Sequence, residues 1–369
     1  MKHCTAAHRG LRYVGSDLRH DVVGKTVHIH AGTYITEMLR HVERGADGEG
    51  KMNGPNKMFA LPNFPERDGV EGRTPALHDD HAEELTGAEA EFLGREDSET
   101  YASYIGCLNW TVVMCRLDVA QSVTALSQFL AAPRVGHARR VMRIMSFLKK
   151  YGDRGIVLDG RDHEPPDGTV PMLENAREHL KLEYGEHTEL RDERDPVARG
   201  ATISLSTWSD ADHASNKADR RSTTGALIML GRSILLWRSK RQIGCEGSSY
   251  ASELRAAAWT ARELRGLRMF LRGIGAELSG PSVLYLDNEA TVFASTSLPT
   301  CLKVRHLSID YHCCRELTAW GVITPTKVAS ALNLADPFTK ATDKVTFWNL
   351  TNKLMSRARD HAASCCSWK

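Results

Sequence analysis

The stretch that most constrains the fold begins at Ala201. An apolar run, "TISLSTW", leads through Asp210 into a charged loop, and two further apolar runs, "TGALIML" and "SILLWRS", flank Gly231-Arg232. A two-residue connection with glycine first suits a type II′ turn, so the two runs are expected to form a hairpin. After "GCEGSS", Leu254, Ala257, Ala261, Leu264 and Leu271 recur at helical spacing and predict a long helix from about Ser249 with one buried face. A strand "SVLYLD", a short helix from Asn288, a helix through "RHLSIDYHCCRELTAW", a short strand "GVITP" and a terminal helix from Asp336 follow. This order describes an α/β domain over residues 201–350, a mixed sheet flanked by helices.

The chain has 369 residues, enough for two or three domains. Residues 1–45 hold a strand-like "KTVHIHA" and a helical "TYITEMLRHV", whereas 46–98 are rich in Gly, Pro, Asp and Glu and read as a linker. A mainly helical region is expected over 99–159. In "GHARRVMRIMSFLKKYG", Ala138, Val141, Met142, Met145 and Leu148 line one face and Arg139, Arg143 and Lys150 the other. That outer side is either a solvated face or a surface for nucleic-acid phosphates. Residues 160–200 form a charged insertion opening with Pro-Pro-Asp-Gly, with room for one short helix, and 351–369 are expected as a C-terminal tail.

Bulk charge does not identify a partner, because 48 Lys plus Arg stand against 46 Asp plus Glu. The nine cysteines show no CxxC and are expected to be reduced thiols. The N-terminus has no apolar signal-peptide core, and no apolar run approaches the roughly 20 residues that span a bilayer. An intracellular protein, cytoplasmic or nuclear, with no membrane partner is the expectation.

Four acids fall where this layout gathers strand ends and helix starts: Asp210 after the first strand, Glu253 early in the long helix, Asp287 ending the fourth strand, and Asp336 opening the last helix. Each has an ordinary explanation alone. Asp287 can cap a helix, Asp336 before Pro337 fits an N-cap with proline at the first helical position, and Glu253 can complement a helix dipole. Together they suit Mg²⁺, which takes oxygen ligands, and two such ions about 4 Å apart can clamp an in-line phosphoryl displacement. Phosphodiester hydrolysis is the chemistry this pattern suggests.

Those motifs, "WSDADHASNKADRRSTTG", "LLWRSKRQ", "SSYASELRA", "LYLDNEA", "RHLSIDYHCCRE" and "LNLADPFTK", resemble the ribonuclease H domain of copia-type LTR retrotransposon Pol polyproteins. Upstream, "YASYIGCLNWTVVMCRLDVAQSVTALSQFL" resembles the segment joining polymerase to ribonuclease H, and "GKTVHIHAGTYITEMLRHV" resembles the end of the reverse-transcriptase palm. The resemblance implies that Asp210, Glu253, Asp287 and Asp336 bind two Mg²⁺ ions, with Mn²⁺ able to substitute, and cut the RNA strand of an RNA–DNA hybrid. The 2′-hydroxyl would be read in the minor groove. Ser248, Ser249 and Asn288 are candidate polar contacts there, with helix capping the alternative, above all for Ser249. A separate reverse-transcriptase region is a further implied partner.

The sequence also departs from that pattern. Its one Asp-Asp pair, Asp79-Asp80 in "LHDDH", lacks the Tyr-containing strand of a polymerase site, so polymerisation is not expected. Leu117 stands where the resemblance leads one to expect proline, Pro337 where it leads one to expect an aliphatic residue, and Gly321–Ala335 holds no histidine. Three readings stay open: a hybrid-specific endoribonuclease, a non-catalytic remnant that folds with or without binding nucleic acid, and an unrelated metal-binding scaffold.

Overall fold

The computed structural model describes residues 11–47, 59, 61, 85–169, 174–187, 196–216, 219–297 and 305–357. In chain order the elements are β1 (Leu11–Tyr13), β2 (Ser16–Asp21), β3 (Thr26–His30), α1 (Gly32–Asp47), α2 (Arg95–Met114), α3 (Ala120–Ser127), α4 (Val135–Lys150) and β4 (Arg154–Asp159). Then come α5 (Glu174–Tyr184), β5 (Leu205–Asp212), β6 (Thr223–Leu230), β7 (Ser233–Arg241), α6 (Ser249–Gly273), β8 (Ser282–Leu286), α7 (Glu289–Thr296), α8 (Ser308–Ala319) and β9 (Ile323–Lys327). The last two are α9 (Lys344–Leu354) and β10 (Met355–Arg357). The chain divides into two compact units, one of residues 1–159 with 341–369 and one of residues 160–340.

The first unit carries more sheet than its sequence suggests. Its five strands run in the order β1-β2-β3-β4-β10, every neighbouring pair antiparallel. Only β3 is legible as an apolar alternation. β2, "SDLRHD", is polar, and β4, "RGIVLD", follows a helix too closely to stand out. The expected tail at 351–369 is also revised, since 351–354 continue α9 and Met355–Arg357 pair with β4. Most of the expected linker at 46–98, Asp79-Asp80 included, lies outside the described residues. At its end, Gly87–Ala90 forms a 3₁₀ turn and α2 begins at Arg95.

Helix α4 is buried on more than one face. Ile144 and Phe147 join Val141, Met142, Met145 and Leu148 at 1% exposure or less. Its basic groups are engaged: Arg139 lies 2.9 Å from Glu89, Lys149 lies 2.8 Å from Glu43, Lys150 sits over the Tyr151 ring, and Arg143 is half-buried. Beneath this helix lies a buried charge cluster. Arg116 grips Asp118 with two hydrogen bonds of 2.9 Å and donates to the Tyr151 carbonyl, while Arg154 NH1 stands 3.8 Å from the same carboxylate. Burial pulls the Arg154 guanidinium down to about 10, with Asp118 opposing that shift. "CRLDVA" is therefore a structural motif, and Leu117, fully buried, fills the place expected for proline.

The second unit has the strand order β7-β6-β5-β8-β9, with β5, β6 and β7 antiparallel and β8 and β9 parallel to β5. This is the mixed sheet flanked by helices that the sequence predicts. The β6–β7 turn has Gly231 at φ +52, and a Cβ there would lie 2.3 Å from the Arg161 carbonyl oxygen. The charged segment after Gly160 thus packs on the hairpin from the outset. Arg232 donates to the Asp162 carbonyl and to Glu164, and His163 meets Trp208 edge-on. Further along, α5 seats fully buried Leu180, and Glu183 and Tyr184 bond Arg315 of α8 at 2.7 and 3.0 Å. The insertion expected at 160–200 is part of this unit, while residues from 341 leave it.

Among the described residues, Asp118 is the one carboxylate in contact with two buried guanidinium groups, so Asp118→Asn leaves both uncompensated. We expect a loss of about 3–5 kcal/mol in the first unit, read as a lowered calorimetric transition with the second unit's transition unmoved; an unchanged first transition would contradict this role.

Candidate metal centre

Three elements of the second unit bring their acids to one end of the sheet. Asp210 lies within β5, the central strand, and is 2% exposed. The parallel register pairs Ser209 with Leu286, so one step further along sets Asp287 of β8's end beside Asp210. Here the chain leaves β5 toward β6 on one side and returns to β8 on the other, which is the switch point where open α/β sheets place ligands. Glu253 comes from the start of α6, whose N-cap Ser248 accepts a hydrogen bond from Ala251 N at 3.2 Å. Thr260 of α6 meets Ser209 Oγ at 3.2 Å, tying the helix to the central strand. Asp210, Glu253 and Asp287 each offer a carboxylate oxygen, and these oxygens all lie within 4.8 Å of one another.

The fourth acid arrives differently from the sequence expectation. Asp336 opens a 3₁₀ turn, Asp336–Phe338, with Pro337 after it, and the terminal helix starts only at Lys344 with Asp343 as its cap. Asp336 is not within the mutual 4.8 Å cluster of the other three. It adjoins Asp210 and is bound by Lys340 Nζ at 3.0 Å; the same ammonium stands 4.0 Å from Asp210. Thr339 Oγ1 donates to Asp210 Oδ2. This close approach depends on Gly225, the register partner of Asp210 on β6. A Cβ on Gly225 would fall 2.6 Å from Thr339 Cγ2 and 2.7 Å from the Ala335 carbonyl oxygen.

The electrostatics are those of carboxyls crowded together out of water. Burial, then Asp210 and Asp287, push the Glu253 carboxyl up to about 10. Burial, then Asp210, push Asp336 to about 7, with Lys340 opposing. Asp210 is raised by burial above all, with Asp287 adding and Lys340 opposing. Burial works against the Lys340 ammonium, yet Asp210 and Asp336 outweigh it and raise its pKa. Glu253 Oε2 and Asp336 Oδ1 are buried without a hydrogen-bond partner among the described residues. Buried carboxylate oxygens left unpaired are costly, and an all-oxygen set of this kind fits Mg²⁺ or Mn²⁺.

Other residues singled out from the sequence separate into groups. Ser248, rather than Ser249, caps α6, and Ser249 is exposed at its first position. Asn288 caps α7 by accepting from Thr291 N at 3.1 Å. Asp212 lies two residues beyond Asp210 on β5, outside the cluster. Arg139, Arg143 and Lys150 belong to the first unit and have the partners or burial already described. Sequence reasoning missed Gly225, Thr339, Lys340 and Lys327, whose Nζ donates to the Asp287 carbonyl. It also missed Gln242, which donates to Thr224 Oγ1 and to the Ser252 carbonyl, both at 3.0 Å, joining β6 to the turn of α6 that carries Glu253. Their signal was position: Gly225 closes "STTG", Thr339-Lys340 close "ADPFTK", and Gln242 closes "SKRQ".

Two outcomes follow from this geometry. Gly225→Ala should cost about 1–3 kcal/mol through overpacking and should weaken Mn²⁺ binding, measured by calorimetric titration; parental affinity would show that the 335–340 segment does not depend on this contact. Folded Glu253 and Asp336 hold protons more tightly than free carboxyls, so their stabilising contribution is complete below their ordinary values near 4. It is lost as pH rises, through about 7 for Asp336 and about 10 for Glu253. A cation binds the deprotonated forms, so the rise in melting temperature given by Mg²⁺ should grow between about pH 5 and about pH 8; a pH-independent increment would contradict it.

No family model matches the chain. It is 28% identical over 258 residues to the retrovirus-related Pol polyprotein from transposon RE1 of Arabidopsis thaliana, covering 70% of this chain and 15% of that one. It is 25% identical over 247 residues to the Pol polyprotein from transposon TNT 1-94 of Nicotiana tabacum, covering 67% and 16%. The chain thus spans about one-sixth or less of the length of these relatives. Among solved structures, an N-terminal RNase H domain from Mycobacterium tuberculosis aligns with 41% of this chain and 98% of its own at 10% identity and TM-score 0.29. RNase H1 from Halobacterium salinarum aligns with 37% and 93% at 14% identity and TM-score 0.29. Among the described residues no helix is long and apolar enough to cross a membrane. By sequence, the chain is similar over about 70% of its length to retrovirus-related Pol polyproteins of plant transposons, and its second unit is a mixed sheet flanked by helices.

Proposed function

We propose that the second unit is a metal-dependent endoribonuclease that cuts the RNA strand of RNA–DNA hybrids. The observation that carries this reading is the convergence of Asp210, Glu253 and Asp287, from a central strand, a helix start and a neighbouring strand end, within 4.8 Å. A pair of Mg²⁺ ions bound there would neutralise the scissile phosphate and supply the activated water of phosphodiester hydrolysis.

The chain's own residues have separable tasks. Asp210, Glu253 and Asp287 furnish the oxygen ligands, with Asp336 as the fourth acid at the edge of the cluster. Lys340 balances Asp210 and Asp336 electrostatically and keeps two acids close before substrate arrives. Thr339 fixes one oxygen of Asp210, leaving the other for coordination. Asp336, with a carboxyl raised to about 7, is suited to accept or release a proton near neutrality. Ser248 and Asn288, the caps of α6 and α7, and Ser249 at the first position of α6 are the candidates to meet a 2′-hydroxyl, which separates RNA from DNA.

Purified protein incubated with a labelled RNA–DNA hybrid and Mg²⁺ should cleave the RNA strand alone, and Asp287→Asn should lower the rate by more than about 10²-fold. Hybrid binding without cutting would favour the non-catalytic remnant. Cleavage that survives the substitution would place the chemistry elsewhere.

A further inference from the structure

Immediately beyond β5, His213 is held by a set of buried hydroxyls that the metal centre does not use. Its Nδ1 lies 2.9 Å from Ser252 Oγ, and Ser252 Oγ lies 3.0 Å from Ser222 Oγ. Both serines are buried, at 0% exposure, whereas the histidine is exposed. Ser222 Oγ accepts the Ala214 backbone N–H at 3.1 Å. Ala214 has φ +50, a left-handed conformation uncommon for a residue with a Cβ, and this hydrogen bond holds the turn that swings His213 onto α6.

One assignment of protons satisfies the whole set. Ser222 receives the Ala214 N–H and its own hydroxyl proton is free to go to Ser252 Oγ. Ser252 in turn has a closer acceptor in His213 Nδ1, at 2.9 Å, than in the Ser248 carbonyl, at 3.3 Å. With Nδ1 accepting, the neutral imidazole carries its proton on Nε2, which has no partner among the described residues. The ring is anchored beside the carboxylate cluster: Ser252 precedes Glu253, and Ala211, two residues before His213, bonds Glu253 through its backbone.

We propose that His213 is a substrate-positioning residue whose Nε2–H donates to a backbone phosphate oxygen of the strand being cut, next to the scissile phosphate, in the orientation set by the Ser222–Ser252 relay. This rests on the hybrid-cleavage reading, because it takes a nucleic-acid strand to occupy the carboxylate cluster. Ser222 and Ser252 act only through the ring.

The test uses the full chain with a labelled RNA–DNA hybrid, measuring KM, kcat, hybrid-binding affinity and Mn²⁺ affinity. His213→Ala should raise KM and weaken hybrid binding by about 10-fold, with kcat and Mn²⁺ affinity close to parental, and His213→Gln should recover part of the loss by supplying an N–H. Ser222→Ala should fall between parent and His213→Ala. Parental KM and binding in His213→Ala, or a loss of Mn²⁺ affinity matching the loss of hybrid, overturns the proposal while leaving the cleavage reading intact. A parent protein that binds hybrid without cutting still decides the proposal through binding. One that neither binds nor cuts removes the cleavage reading and this inference together.

Discussion

Bringing three carboxylates within 4.8 Å at a sheet end works against folding, since each loses hydration and repels the others. The second unit tolerates the arrangement in two ways. Lys340 supplies one compensating charge at the edge of the cluster, 3.0 Å from Asp336 and 4.0 Å from Asp210, and Glu253 and Asp336 keep protons well above the pH at which free carboxyls lose them. Neither device satisfies the unpartnered Glu253 Oε2 and Asp336 Oδ1. A divalent cation bound among them would, as the proposed function requires.

The sheet serves this constraint. A central strand flanked by an antiparallel hairpin on one side and parallel strands on the other creates a switch point, and the acids sit at its carboxyl end. Gly225 leaves room for the 335–340 segment to touch the central strand, Gln242 ties the hairpin to the first turn of α6, and Lys327 ties β9 to the Asp287 backbone. The 160–187 segment braces the same unit from outside through Arg232, Trp208 and Arg315. The acids are therefore positioned by residues that look unremarkable one at a time.

Much of the second unit was legible in the sequence because its strands are apolar, its hairpin turn has a glycine where φ must be positive, and its helices carry apolar stripes. α6 begins at the serine where its pattern begins, with Ser248 as cap. Asp336 reads as the opening of the terminal helix because Asp-Pro is a common helix start, and the packing of Thr339 and Ala335 against Gly225 accompanies the 3₁₀ turn found there instead. The first unit was less legible. β1, β2 and β10 are short or polar, and they are strands because neighbours supply hydrogen-bond partners, a non-local cause that periodicity does not record. The basic stripe on α4 was visible, but its pairing with Glu43 and Glu89 was not.

The central question is whether these carboxylates share a divalent cation. Crystals grown or soaked with Mn²⁺ and measured near the manganese absorption edge give that directly: the anomalous difference map should place its strongest peak among the Asp210, Glu253 and Asp287 carboxylates. Manganese found only elsewhere on the chain, with those three side chains turned apart, would contradict it.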